Sequence, residues 1–293
     1  MVFVTRAQIR RHCPLLAAIV ACLQLGFTGS AAAEWSMFRG GNERVGYAAR
    51  EKLPARLNLL WAYETNGTLE ASPVVVEGTV YQGSCDGNLY AVNAADGTLK
   101  WKFRAGGVIM STPAVDSKSG LVIFGCNNNR VYAVRSKDGS LAWEHATAPT
   151  SLHVILHGNQ VKASPALTGD RVLAGNYAGQ WLALSAATGK PNWTSKGQLT
   201  FASPATDGKR VVMADRAGVT CLGLDTGKVL WQRKQMGSFL ASPAIRDGTV
   251  YVASAGEMGT QSRSFTIGIL PNEARMAPGP PTPVLALDAD AAG

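Results

Sequence analysis

His153 and His157 lie four residues apart, the spacing that on a helix would aim two imidazoles at one metal ion. Their setting, Ser151–Gly158, reads instead as strand or loop, and no third ligand stands nearby, so solvated loop histidines are the simpler account. Asp86, Asn127, Asn176 and Asp215 carry the oxygen donors a hard cation such as calcium takes. They recur once per repeat at the turn after a second strand, which marks turn chemistry rather than one asymmetric metal site. Trp181 offers a flat surface for a planar cofactor, yet it takes the place of the tyrosine of a third strand and core packing explains it more simply. Cys85 and Cys126 occupy matching places in successive repeats and Cys221 a different phase; the three show no Cys-x-x-Cys-His spacing and read as small residues of strands or turns. Gly-x-Ser-x-Gly, phosphate-loop and His-Glu-x-x-His patterns do not occur. The sequence therefore names no catalytic residue.

The frame that must position these side chains is β-rich. Charged residues make up only 16% of the 293, against 32 glycines and a hydrophobic share of 46%, a balance suited to many short strands and tight turns. The formal charge of +8 includes Arg6, Arg10 and Arg11 of the leader and is otherwise spread along the chain. Without a basic run, nucleic acid is not an expected partner. Residues 1–33 read as a secretory signal peptide: a basic start, the apolar run Leu15–Phe27, then Ala31-Ala32-Ala33. A rival reading takes Ile19-Val20-Ala21-Cys22 as a lipobox, with Cys22 acylated and the protein held at a membrane. Leu23, Leu25 and Phe27 continue the apolar run past that cysteine, which favours cleavage near Ala33. Either route predicts a periplasmic, secreted or membrane-anchored protein.

Self-similarity organises the rest. Ser72-Pro73, Thr112-Pro113, Ser164-Pro165, Ser203-Pro204 and Ser242-Pro243 recur at spacings of 40, 52, 39 and 39 residues. After each comes a short apolar strand, a turn, a β-branched strand and a polar turn. A third strand follows, such as Asn88–Val92 or Arg130–Val134. A Gly turn then leads to a fourth strand carrying Trp101, Trp143, Trp193 or Trp231. One such meander cannot bury both faces, so the units must stack face to face, with the tryptophan wedged against the next sheet. Radial stacking of four-stranded antiparallel sheets is a β-propeller.

The unit Ala71-Ser72-Pro73 … Gly87-Asn88-Leu89-Tyr90-Ala91-Val92 … Asp96-Gly97-Thr98-Leu99-Lys100-Trp101 resembles the PQQ-like, or quinoprotein-like, repeat. Trp35–Asn42 is similar to the opening motif of secreted members of that group. The resemblance, over residues 34–293, implies a lead-in segment (34–56) and an all-β propeller domain (57–293). It implies one of two activities. The first is a non-catalytic scaffold, as in the propeller lipoprotein of the outer-membrane β-barrel assembly machine. The second is a quinoprotein alcohol or sugar dehydrogenase, for which the cofactors would be PQQ and calcium. Five blades are recognisable. Trp61 matches a fourth strand with no blade before it, and Pro283–Asp288 matches a third strand of the last blade. Residues 57–63 either complete that blade and close the ring, or the ring is incomplete. Insertions at His145–Lys162 and Glu257–Thr282 lie on connections that leave one face, where a protein or polysaccharide partner is expected. Arg130, Asn176, Tyr177, Arg216 and Glu257 are the candidate residues of that face.

Overall fold

The computed structural model describes residues 36–46, 59–147, 160–234 and 241–253, together with the backbone of 284–288. All of these fall in one compact unit, Trp35–Gly293. Its first blade is β1 (Val74–Val76), β2 (Thr79–Gly83), β3 (Asn88–Asn93) and β4 (Leu99–Arg104). The second is β5 (Ala114–Asp116), β6 (Leu121–Cys126), β7 (Arg130–Arg135) and β8 (Leu141–Ala146). The third is β9 (Ala166–Thr168), β10 (Arg171–Gly175), β11 (Gln180–Ser185) and β12 (Pro191–Lys196). The fourth is β13 (Ala205–Thr206), β14 (Arg210–Asp215), β15 (Gly218–Gly223) and β16 (Val229–Lys234). In the fifth, β17 (Ala244–Arg246), β18 (Thr249–Ala253) and β19 (Val284–Asp288) form three strands. Each sheet is an antiparallel meander in chain order, and the first strands of successive blades touch one another around an axis. No α-helix occurs among the described residues.

The tryptophan wedge has a definite geometry. Its indole N–H donates to a backbone carbonyl of the next blade: Trp61 to Ala94, Trp101 to Ser136, Trp143 to Ala186 and Trp193 to Leu224, at 2.7–2.9 Å. The same rings lie on Gly97, Gly139, Gly189 and Gly227, where an added Cβ would fall 2.5–2.7 Å from the indole. Those glycines have φ of 65–74°, so both the turn and the ring demand glycine. Across the sheet each fourth-strand tryptophan (Trp101, Trp143, Trp193 and Trp231) opposes a small residue (Ala91, Ala133, Ala183 and Cys221), and the register of the third and fourth strands shifts just after it. Cys221 is thus the small partner of Trp231.

Three details correct the reading of the repeat. Trp181 pairs across from Ser195 and so stands at the place of Leu89; the counterpart of Tyr90 is Leu182. Strand side chains alternate between faces, so one residue of register puts Trp181 on the face opposite to that of Tyr90. Likewise the residue following Gly83 and Gly125 is Ser84 and Cys126, which leaves Cys85 one place out of phase with Cys126. Finally, residues 59–63 form no strand, although Trp61 takes the wedge position against the first blade.

The Ser/Thr of each Ser/Thr-Pro has a task the repeat alone does not reveal. The backbone N–H of Ser72 donates to the Thr112 hydroxyl, Thr112 N–H to Ser164, Ser164 N–H to Ser203 and Ser203 N–H to Ser242, at 2.9–3.0 Å. This relay links all five first strands around the axis. From the end opposite the fourth-to-first connections, residues 36–46 run in and act as a clasp. Ser36 accepts from Val115 of the second blade, Asn42 from Thr206 of the fourth and Glu43 from Ile245 of the fifth. Arg44, fully buried, donates to the carbonyls of Phe38, Ser164, Pro165 and Pro204 at 2.7–3.3 Å.

Candidate functional site: the axial mouth

The turns after the second strands hold the oxygen donors singled out in the sequence, and the turns themselves use those of Asp86, Asn176 and Asp215, whereas Asn127 turns its amide N–H towards Met110 Sδ at 3.5 Å. Ser84, Cys126, Asn176 and Asp215 share one buried position. Asn176 Oδ1 accepts from Gln180 N–H, and Asp215 accepts from the N–H groups of Ala217, Gly218 and Gln198. Asp86, two places further on, accepts from Asn88 N–H and from the Tyr90 hydroxyl at 2.6 Å. Burial, and then that bond, pushes the Tyr90 phenol up to about 12. Asp86 is held below the usual carboxylate range: burial opposes this, and the bonds from Tyr90, Asn88 and Ser84 outweigh it. Burial pushes the Cys126 thiol up, the opposite of an activated nucleophile. Among the described residues no three His, Cys, Asp or Glu side chains gather where a metal ion could sit. His153 and His157 lie outside the described residues.

Directly before the relay, one position in each of the first four blades faces the axis. It is Glu70, Met110, Lys162 and Phe201 in blades one to four, and together they line a cavity of about 270 Å³. A cavity touched by equivalent residues of four successive blades lies on the axis. It is the mouth of the central channel on the side of the fourth-to-first connections. Behind each lining residue stands the residue whose N–H holds that connection: Cys85 N–H donates to Thr68, Asn127 to Val108, Tyr177 to Gln160 and Arg216 to Leu199. Tyr177 stacks on Phe201 with ring centroids 4.7 Å apart, and the Lys162 ammonium lies 5.0 Å from the Phe201 centroid. Two to three residues further along the same strands lies the Arg44 guanidinium, on the order of 7–10 Å deeper at about 3.3 Å per strand residue. Burial, and secondarily the charge of Arg39, lowers its pKa to about 9.

The candidate face residues separate accordingly. Tyr177 reaches the mouth and Arg216 stands exposed at the neighbouring turn. Arg130 is paired with Glu144 across the blade edge at 2.8 Å. Asn176 is buried in its turn, and Glu257 lies outside the described residues. Sequence reading passed over Glu70, Met110, Lys162 and Phe201. The available clue was their common place two residues before each Ser/Thr-Pro, where no two copies agree.

A quinone and calcium would need an open aromatic floor and converging oxygen donors. Trp181 is 1% exposed, enclosed with Met213, Trp193 and Leu222, and its edge lies against Gly197. The turn oxygens are spread over four blades; those of Asp86, Asn176 and Asp215 already accept hydrogen bonds, and Asn127 Oδ1, buried without a partner among the described residues, is a single neutral donor that cannot by itself hold calcium. The described residues do not fit the group.

The fold and this mouth define a PQQ-repeat propeller. The family model for outer membrane protein assembly factor BamB matches residues 58–233 and 196–267, and the chain belongs to that family. BamB of Moranella endobia (strain PCIT) is 27% identical over 207 residues, covering 68% of this chain and 53% of its own length. The chain thus spans about half the length of that curated relative. The crystal structure of BamB from Moraxella catarrhalis is similar at TM-score 0.54 and 19% identity, over 64% of this chain and 55% of that one. A quinohemoprotein alcohol dehydrogenase from Comamonas testosteroni matches at TM-score 0.63 and 16% identity, over 82% and 50%. A europium-containing methanol dehydrogenase does so at 0.63 and 16%, over 75% and 56%. At these identities the structural likenesses speak for the fold alone.

Proposed function

We propose that this chain is an extracytoplasmic, non-catalytic binding module that engages a protein partner through the face around its axial mouth. The observation that carries this reading is internal to the repeat. Positions that agree from blade to blade are used by the relay, the tryptophan wedges and the turns. The lining positions disagree in chemistry and converge on one opening. A packing role would keep them alike, whereas recognition of an asymmetric ligand requires them to differ. The leader at residues 1–33 and the assembly-factor relatives support an extracytoplasmic protein that works on other proteins.

Photo-crosslinking tests it. A crosslinking amino acid at Tyr177 should yield a protein adduct in cell-envelope extract, and one at Lys209, exposed on the opposite face, should not. A glycan adduct would move the reading to a polysaccharide, and equal adducts from both sites would overturn it. For the quinoprotein alternative, PQQ with Ca²⁺ should neither raise the melting temperature nor support dye-linked alcohol oxidation. Both effects together would replace the binding module with an oxidoreductase.

A further inference from the structure

The mouth is electrostatically polarised, and this deepens the binding reading, on which the following rests. On one lip stand Lys162, resting on Phe201, and the Phe201–Tyr177 stack, with Arg216 at the adjacent turn. On another stands Glu70, exposed and in long contact with the Cys85 thiol. Beneath lies Arg44, whose partners among the described residues are all carbonyl oxygens; no carboxylate neutralises it. The axis therefore presents positive charge from below and from one lip, into a cavity partly walled by low-dielectric sheets. With about 270 Å³, the opening holds one or two side chains rather than a sugar chain.

We propose that the axial mouth is the docking site for an extended acidic peptide segment of a partner protein. An Asp or Glu of the segment sits against Lys162 over the axis, and an adjoining aromatic side chain lies on the Phe201–Tyr177 ledge. Glu70 repels the acidic end and so fixes which way the segment runs. The carboxylate–ammonium contact forms where Lys162 is half-buried and already aligned by the Phe201 ring.

Two fluorescein-labelled heptapeptides, Gly-Gly-Asp-Phe-Asp-Gly-Gly and its Asn-for-Asp counterpart, provide the probe, read by fluorescence anisotropy against the full chain. The acidic peptide should bind about tenfold more tightly than the amide, and the difference should shrink as salt rises. Lys162→Glu should abolish that preference, Glu70→Gln should strengthen acidic binding, and Phe201→Ala should weaken both peptides. Lys162 and Glu70 are not core residues, and unchanged melting temperatures confirm that their variants fold. Equal binding of the two peptides, binding of neither, or a preference that survives Lys162→Glu would overturn the site. The Tyr177 crosslink separates the two claims. An adduct undiminished in Lys162→Glu removes the acidic-peptide site and leaves the binding module, whereas no adduct in the unaltered chain removes the module itself.

Discussion

At the scale of the residue, the chemistry of this molecule is chiefly that of turns and wedges. Gly139 and Gly208 both have positive φ, 73° and 85°, but only Gly139 faces an indole, with an added Cβ 2.6 Å from Trp101. Gly208→Ala meets nothing within 4 Å and should cost about 1 kcal/mol, the strain of the backbone alone. Gly139→Ala must also displace the wedge and should cost at least about twice that, measured as the loss in unfolding free energy in urea. Equal losses would mean that the wedge contributes little. Asp207 gives a pH-dependent counterpart. Burial would raise its pKa, but the N–H groups of Arg210 and Lys209 and the Arg210 guanidinium, 2.7 Å away, outweigh that and hold it low. A carboxyl with a depressed folded-state pKa contributes stability above its unfolded pKa of ~3.9 and loses it as pH falls through the folded value. Asp207→Asn should therefore lower stability at pH 7 by about 1–2 kcal/mol, and the gap to the unaltered chain should close towards pH 2. Melting temperatures across pH 2–7 check it; a constant gap would assign the loss to packing.

At the scale of the element, the strands were legible because their punctuation repeats. Asp-Gly and Thr-Gly turns, the proline at each first strand and the tryptophan in each fourth strand are local signals, and each recurs often enough to calibrate the next. Register was less legible. Apolar residues fill both faces of the inner strands, so the hydrophobic pattern of Gln180–Ser185 does not show whether Trp181 or Leu182 matches Tyr90; the one signal is the small Ala183, which matches Ala91 and Ala133, and the Ala183–Trp193 pairing decides it. The mouth was hidden for another reason, since Glu70, Met110, Lys162 and Phe201 come together only when blades are stacked. The serine relay was half visible: the repeat showed the hydroxyl residue but not its donor in the preceding blade. Ser203→Ala tests that role. It removes the acceptor for the buried Ser164 N–H and should cost about 1–3 kcal/mol in a urea melt, while Ser203→Thr, which keeps the hydroxyl, should recover most of it. A loss as large for threonine as for alanine would point to packing at the axis instead.

At the scale of the whole molecule, a propeller is held by links between neighbours. Each wedge and each step of the relay joins one blade to the next, so the stack alone would unfold as a chain of loosely coupled units. Residues 36–46 add links of another kind, because this one segment bonds to the second, fourth and fifth blades through its backbone and to the third and fourth through Arg44. The segment should therefore act on cooperativity as well as on stability. Arg44→Met keeps much of the apolar volume but leaves the Ser164, Pro165 and Pro204 carbonyls without their donor, a loss of about 2–4 kcal/mol. Removal of a buried charge offsets part of this, which sets the lower end of that range. If the clasp couples the blades, the variant should also show a shallower urea transition, with the m-value falling and fluorescence and circular dichroism midpoints drawing apart. The first blade, to which the clasp makes no hydrogen bond among the described residues, should part from the others, and a tryptophan probe at Trp61 would report it. A midpoint that shifts with m unchanged and probes coincident would show that the relay and the wedges suffice to make the blades one cooperative unit.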